Sequence, residues 1–260
     1  MTLIVSLRIP DGIVLAGDSL STLMRGNEVQ GDIPVTCPNC NHSHVTTAKL
    51  QGAVLPATSL SFAQKIFPFL EEFGVGTAGA AQLLSKTVYF AMRELEQEVK
   101  AGDRLPVSVR EVAALIGERA KSLLHADATL QGIAPTDLGA NIVSFQVVGY
   151  ENGSPETVVV EVGADVAMNN FGGAGCTVIG QRQVVRALWG LTPTPEEKPM
   201  YELFSLQDAI TYAEFLISAT ASHQRFLRTI PTVGGDIDVA LVTPFDHFKW
   251  IRQKTLFSKS

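Results

Sequence analysis

Two apolar stretches at the start of the chain are separated by a short turn, and they constrain the fold more than any other sequence feature. TLIVSLRI and IVLAGDSL flank Pro10-Asp11-Gly12. Proline presets the backbone for a tight turn, and glycine adopts positive φ without steric cost. Aliphatic and β-branched runs on both sides of such a turn predict a β-hairpin. The chain therefore begins with two antiparallel strands.

The rest of the chain combines helices with further hairpins. Apolar residues at helical spacing predict helices over 81–101, 107–125 and 206–226. NIVSFQVVGYE and PETVVVEVG predict a second hairpin through NGSP, and CTVIG and DIDVALVTP predict more strands. This order predicts an α+β protein with antiparallel sheets rather than regular βαβ alternation. We interpret residues 1–260 as a single domain with a long, irregular inserted loop at about 23–61.

Composition excludes several classes of function. Apolar residues make up 46% of the chain and charged residues 18%, which is enough apolar material for a large core. A net charge of -6 without a long basic run argues against nucleic acid as the main partner. We expect no membrane association, because no stretch supplies the roughly 20 apolar residues of a spanning helix. We also expect a cytoplasmic protein, because no secretory leader is visible.

Thr2 directly follows Met1. A small residue at this position favours removal of the methionine, which would give Thr2 a free α-amine beside its hydroxyl. An N-terminal amine can take the proton from its own threonine hydroxyl, so the pair can act as base and nucleophile. Taken alone, however, a Met-Thr start is common and has no functional meaning in most chains.

The pattern around Thr2 resembles the N-terminal segment of proteasome β-type subunits, which are N-terminal nucleophile hydrolases. Thr2, Asp11-Gly12, Ala16-Gly17-Asp18 and Thr22 fall on that family's positions without a gap. SFAQKIFPFLEEFGVGTAGAAQ resembles the family's lysine followed by a buried strand and a glycine turn. VGGDIDVALVTP is similar to its C-terminal strand. The resemblance is strongest to the bacterial proteasome homologues, and it implies a four-layer αββα sandwich.

The resemblance also implies roles for individual residues. Thr2 would be the nucleophile and its amine the base, while Lys65 would place a positive charge beside the threonine and lower the pKa of that amine. Asp18 would pair with Lys65. Lys49 is a rival for the role of Lys65, but the apolar pattern of KIFPF does not follow it.

Two further positions would contact the substrate. The backbone N–H of Gly79, or of Ala78 if the register differs by one residue, would stabilise the oxyanion. Thr22 would bind an extended substrate backbone as an added strand. No cofactor is implied for catalysis.

The sequence departs from the family pattern in three places. The segment between Asp18 and Lys65 is longer than usual, and Gln181 stands after Gly180 where a serine is expected. Near the C-terminus, Thr229 or Thr232 would have to replace another serine, and no aspartate replacement is evident. Such residues orient the amine and its water, so these departures affect the expected rate more than the reaction type.

The insertion contains CPNCNHSH. Cys37, Cys40, His42 and His44 have ligand types and a knuckle-like spacing that suit a structural zinc site. Four ligands within eight residues are crowded, so a looser zinc site could use Cys37, Cys40 and one histidine, completed by water or a neighbouring subunit. A loop with two reduced thiols and no metal is an equal alternative to zinc binding. Cys176 stands alone and is interpreted as a small core residue.

The resemblance implies a self-compartmentalising threonine peptidase that assembles as homo-oligomeric stacked rings. Its substrates would be peptides or unfolded proteins, with an unfoldase as a further partner that the sequence does not identify. Two alternatives stay open: a small-molecule amidase on the same fold, and a catalytically silent, zinc-bearing ring subunit.

Overall fold

A computed structural model describes residues 2–36, 43–60, 63–190, 198–228 and 230–254 of the chain, and within 22–60 it describes the backbone. The chain divides into two compact units. Thr22–Leu60 forms one unit, and residues 1–21 and 61–260 form the other.

The smaller unit contains two long strands, β3 (Ser21–Thr36) and β4 (Ser43–Leu60), which pair with each other. The sequence predicts an irregular loop over this passage, and that prediction is wrong for its secondary structure. Its glycines and polar residues obscure the alternating pattern by which a strand is recognised.

The first sheet of the larger unit contains the N-terminal hairpin at its centre. Its five strands have the order β12-β1-β2-β13-β14, and each neighbouring pair is antiparallel. The bounds are β1 Leu3–Ile9, β2 Gly12–Asp18, β12 Gly175–Gly180, β13 Ile237–Thr243 and β14 His247–Arg252. The strands β1 and β2 are buried throughout, so this predicted hairpin is a central part of the fold.

The second sheet has the order β11-β10-β9-β6-β5 and is also antiparallel. Its strands are β5 Ile66–Phe69, β6 Phe73–Gly79, β9 Val143–Glu151, β10 Ser154–Val162 and β11 Val166–Gly172. The predicted hairpin between β9 and β10 is confirmed. Its turn uses Asn152 and Gly153, both with positive φ, as a tight primed turn requires.

Four α-helices accompany the sheets within the described residues: α1 Val88–Ala101, α2 Val109–Leu130, α3 Gln183–Gly190 and α4 Leu206–Gln224. Thr87, Ser108 and Ser205 cap α1, α2 and α4 by accepting a hydrogen bond from a backbone N–H of the first turn. None of the helices in the described ranges is long and apolar enough to cross a membrane.

The predicted start of the first helix at Ala81 is wrong. The residues before Val88 instead form a small hairpin of β7 (Gln82–Leu83) and β8 (Lys86–Thr87). The predicted second helix ends too early, since α2 continues to Leu130.

Among the residues whose side chains are described, three apolar clusters form the core. One joins α1 and α2 to the second sheet, through residues such as Met92, Ile116 and Phe145. Another joins α3 and α4 to the first sheet, through residues such as Val185 and Leu216. The third contains residues of both sheets, including Ile4, Leu15, Ile66 and Val148. The chain is therefore a mixed α/β protein with antiparallel sheets, as the sequence predicts.

Candidate active site

Thr2 lies immediately before β1 and is almost fully buried, with 2% of its surface exposed. Its carbonyl oxygen accepts a hydrogen bond of 2.7 Å from the backbone N–H of Gln181. Gly180 has a φ of 86°, and a Cβ atom there would lie 2.0 Å from the same carbonyl oxygen. Glycine is therefore required at position 180 for the chain to pass this close to Thr2.

Asp18, the last residue of β2, holds the threonine from one side. The Thr2 hydroxyl donates to Oδ1 of Asp18, and the backbone N–H of Leu3 donates to the same oxygen at 3.0 Å. The other oxygen, Oδ2, accepts from the N–H groups of Leu20 at 3.2 Å and Gly234 at 3.0 Å. The carboxylate is buried and hydrogen-bonded through both oxygens, as a buried charge requires.

Lys65 approaches the threonine from the other sheet, one residue before β5. Its Nζ donates to the Thr2 hydroxyl oxygen and to the carbonyl oxygen of Leu20, and it lies 3.1 Å from Oδ1 of Asp18. The Thr2 hydroxyl oxygen is thus bonded to an ammonium and to a carboxylate at once. Only 9% of the Lys65 side chain and none of the Asp18 side chain is exposed.

Burial lowers the pKa of the Lys65 amine, because removal from water disfavours the charged form. The negative charge of Asp18 and its hydrogen bond oppose this and raise the pKa. Burial is the larger effect. The site therefore contains a lysine that loses its proton more readily than a surface lysine does.

Gly79, the predicted oxyanion donor, ends β6 and has a φ of 104°. A Cβ atom at Gly79 would lie 2.4 Å from the carbonyl oxygen of Ile142, so no side chain fits there. The end of β6 lies beside the threonine, since a Cβ atom built on Gly180 is 3.3 Å from the Cβ of Ala78 and 2.0 Å from the Thr2 carbonyl oxygen.

The remaining predicted residues are placed less completely. Thr22 lies in β3, and His44 lies in β4 together with Lys49, the rival of Lys65. In both strands the structure describes only the backbone of these residues. Cys37, Cys40 and His42 lie outside the described residues. Among the residues that the structure does describe, no group of three or more His, Cys, Asp or Glu side chains could hold a metal ion.

The residues considered as replacements for the missing serine do not all reach the threonine. The hydroxyl and the N–H of Thr232 bond to the side chain of Gln224, and Thr229 lies outside the described residues. Gln181 binds Thr2 through its backbone N–H. At position 181, a backbone N–H thus contacts Thr2 where the family pattern has a serine.

Two features of the site are not predicted from the sequence. Gly234 binds Asp18 through its N–H, and its carbonyl oxygen accepts from Leu20 at 2.9 Å. In addition, Asp238 and Lys254 form a buried ion pair near Lys65. The Gly-Gly of VGGDIDVALVTP is a sequence signal by which the contact of Gly234 with Asp18 could have been found. Nothing around Lys254 in the sequence distinguishes it from a surface lysine.

Comparison with known proteins indicates the fold. No protein-family model and no curated protein matches the sequence. Among solved structures, a variant of Anbu from Hyphomicrobium sp. strain MC1 aligns with 98% of this chain and 86% of its own, at a TM-score of 0.55 and 16% identity. Anbu is a bacterial proteasome-like protein of the N-terminal nucleophile hydrolase type. The chain therefore has a proteasome-like fold.

Proposed function

We propose that the protein is an N-terminal threonine peptidase, with Thr2 as the nucleophile after removal of Met1. One observation carries the proposal: the buried Thr2 hydroxyl bonds to both the Lys65 ammonium and the Asp18 carboxylate. A threonine that only filled space at a strand end would not need two buried charges. The proteasome-like fold supports the same interpretation.

In the first half of the reaction the Thr2 hydroxyl oxygen attacks the carbonyl carbon of a peptide bond. Its proton passes to the free α-amine of Thr2 and from there to the leaving amine of the substrate. The carbon–nitrogen bond breaks, and an ester forms between Thr2 and the acyl part. In the second half, water attacks this ester and the same amine takes the water proton. The bond between the acyl carbon and the Thr2 oxygen then breaks, the amine returns the proton to that oxygen, and the acid is released.

Charge around the threonine assists both halves. The Lys65 ammonium stabilises negative charge that develops on the Thr2 oxygen, and its field keeps the α-amine unprotonated. Asp18 fixes the ammonium in place. The N–H of Gly79 is the proposed donor to the oxyanion, and its support is that the end of β6 lies beside Thr2.

The architecture we propose is the four-layer αββα sandwich as one domain with an insertion. Its support is that one apolar cluster contains residues of both sheets, while two others join each sheet to its own helix pair. Homo-oligomeric stacked rings, an interior site for peptides or unfolded chains, an unfoldase, zinc binding by the insertion and a cytoplasmic location belong to the same proposal. They follow from the family resemblance.

The test is labelling with a peptide epoxyketone, a reagent that closes a ring with both the hydroxyl and the amine of an N-terminal threonine. Intact mass spectrometry first shows whether Met1 is absent, and then whether one equivalent of reagent is bound. We expect both in the wild type and no labelling of Thr2→Ala. Retention of Met1 on all molecules purified from the native host would overturn the proposal.

The same samples separate the alternatives. Labelling by a small acyl electrophile but not by the peptide reagent indicates an amidase. A protein that binds one equivalent of zinc and resists both reagents is the silent, zinc-bearing subunit. Electron microscopy of the wild type tests the rings, and isolated monomers at micromolar concentration would contradict a compartmentalised peptidase.

A further inference from the structure

A second buried ion pair lies between β13 and the chain that follows β14. Nζ of Lys254 donates to Oδ2 of Asp238, and the backbone N–H of Lys254 donates to Oδ1 at 2.8 Å. Neither side chain reaches solvent, with exposures of 0% for Lys254 and 2% for Asp238. A fully buried pair of this kind does little for stability on its own, because desolvation opposes the attraction. Its position therefore needs another explanation.

The position of Asp238 places it next to the threonine site. In the register of β2 and β13, Asp238 is opposite Gly17, the residue before Asp18. Cross-strand partners project from the same face of a sheet. A Cβ atom on Gly17 would lie 3.2 Å from the side chain of Ile66, the residue after Lys65. Asp238 thus lies on the face of the first sheet that packs against Ile66, one residue from Lys65.

The charges around Lys65 therefore alternate. Asp18 comes from β2, Asp238 from β13 and Lys254 from the segment after β14, and the electrostatic effect of each reaches the Lys65 amine. Thr2 supplies the hydroxyl and, once Met1 is removed, a neighbouring amine. Without its own partner, Asp238 would be a second buried carboxylate that competes with Asp18 for the Lys65 ammonium.

We propose that Lys254 is a positioning residue for the reaction: by holding Asp238 in a buried ion pair, it leaves Lys65 bound to Asp18 and to the Thr2 hydroxyl. The inference rests on the proposed function and adds to it a residue near the C-terminus. Lys254 does not touch the reacting atoms, and it acts through Asp238 and Lys65.

The experiment follows the ionisation of Lys65 directly, by NMR of its ¹⁵Nζ resonance during a pH titration of the full chain. In Lys254→Met, the loss of a positive neighbour and the release of Asp238 both raise the Lys65 midpoint, by about one pH unit. Asp238→Asn moves it in the opposite direction. The double variant Asp238→Asn/Lys254→Met removes both charges and returns the Lys65 midpoint toward that of the wild type. Lys254→Arg retains the positive charge, so its Lys65 midpoint equals that of the wild type.

Epoxyketone labelling provides the second readout. Lys254→Met is expected to label about tenfold more slowly or worse, since the ammonium is displaced from the hydroxyl. The double variant recovers much of the rate. Lys121→Met is the matched control, because it breaks the surface pair between Lys121 on α2 and Asp165, which precedes β11, and should change neither readout.

The outcomes separate this inference from the proposed function. A wild type that labels, with the same Lys65 midpoint in folded Lys254→Met and Lys121→Met, overturns the role of Lys254 and leaves the peptidase proposal standing. A wild type that does not label, with a Lys65 midpoint that moves as stated, supports the positioning of the lysine and overturns the peptidase. If Lys254→Met does not fold, the comparison of Asp238→Asn with the double variant provides the test. Equal Lys65 midpoints in these two variants would overturn the role of Lys254.

Discussion

Nζ of Lys65 lies 3.1 Å from Oδ1 of Asp18, which joins the end of a strand of the first sheet to the residue directly before a strand of the second. The Thr2 hydroxyl lies within hydrogen-bonding reach of both. This buried ion pair connects the proposed chemistry to the stability of the fold, and each effect can be measured separately.

Replacement of Asp18 by asparagine should be strongly destabilising. It leaves Lys65 as a buried charge without its partner, and breaking a buried pair in this way costs about 3–5 kcal/mol. The free energy of unfolding in urea measures the loss. Asp165→Asn is the control, since it breaks an exposed pair and should leave the unfolding midpoint unchanged. Equal midpoints for both variants would show that Asp18 is not paired in the folded protein.

Labelling of Thr2 should decline at high pH, and the decline should begin below the ordinary lysine pKa of about 10.4. Burial lowers the pKa of Lys65, so its ammonium is lost earlier than that of a surface lysine. The epoxyketone labelling rate as a function of pH measures this. Lys65→Met should label at least about 10²-fold more slowly and lack the decline. A wild-type rate that stays constant above pH 10.4 would contradict the role of Lys65.

The same lowered pKa has a consequence for stability. Between the folded and the unfolded pKa of Lys65, the unfolded chain binds more protons than the folded one. The contribution of Lys65 to the free energy of unfolding therefore rises with pH across that interval and is smallest at lower pH. Urea unfolding at several pH values up to about 10.4, compared with Lys65→Met, measures this contribution. If the free energy of unfolding of the wild type fell relative to that of Lys65→Met as the pH rises over this range, the predicted direction of the pH dependence would be wrong.

Gly180→Ala should disturb the threonine although it adds only a methyl group. The backbone at Gly180 has a φ of 86°, and the new Cβ would lie 2.0 Å from the Thr2 carbonyl oxygen. We expect a loss of about 2 kcal/mol or more in stability together with slower labelling. Gly172→Ala is the control, because nothing lies within 4 Å of a Cβ there. Similar unfolding curves for the two variants would refute the close approach.

The Cys176 thiol, which is half-buried in β12, should react slowly in the folded protein. Burial raises its pKa to about 12, and only the thiolate reacts with disulfide reagents. The chain contains three cysteines, so Cys37→Ser/Cys40→Ser leaves Cys176 alone. This variant should react slowly with an aromatic disulfide at neutral pH and rapidly, with one equivalent, in urea. Rapid reaction without urea would show that the thiol is accessible.

The parts of the fold that the sequence predicts well are those with local signals. Pro10-Asp11-Gly12 and Asn152-Gly153 have the turn residues that hairpins require, and both hairpins form. The start of α1 is not predicted, because the turn before it places Leu84 and Ser85 at positive φ. Neither residue type signals such a turn, and Leu84 continues the helical spacing of the apolar residues.

The candidate site was predictable where residues follow a family order, and not where contacts depend on tertiary structure. Thr2, Asp18 and Lys65 are named by the resemblance, and the structure brings them together. The burial of Lys254 cannot be predicted from the sequence, since lysine side chains are normally exposed. Only the path of the chain after β14 carries it onto Asp238.

Asp18 also fastens the backbone. Its carboxylate accepts hydrogen bonds from the backbone N–H groups of Leu3, Leu20 and Gly234. These residues lie at the start of β1, just after β2 and just before β13. A relative that had lost its nucleophile would still need this carboxylate to close the end of its sheet. An aspartate at this position in another protein is therefore no evidence of the proposed reaction, for which the threonine and the lysine are the informative residues.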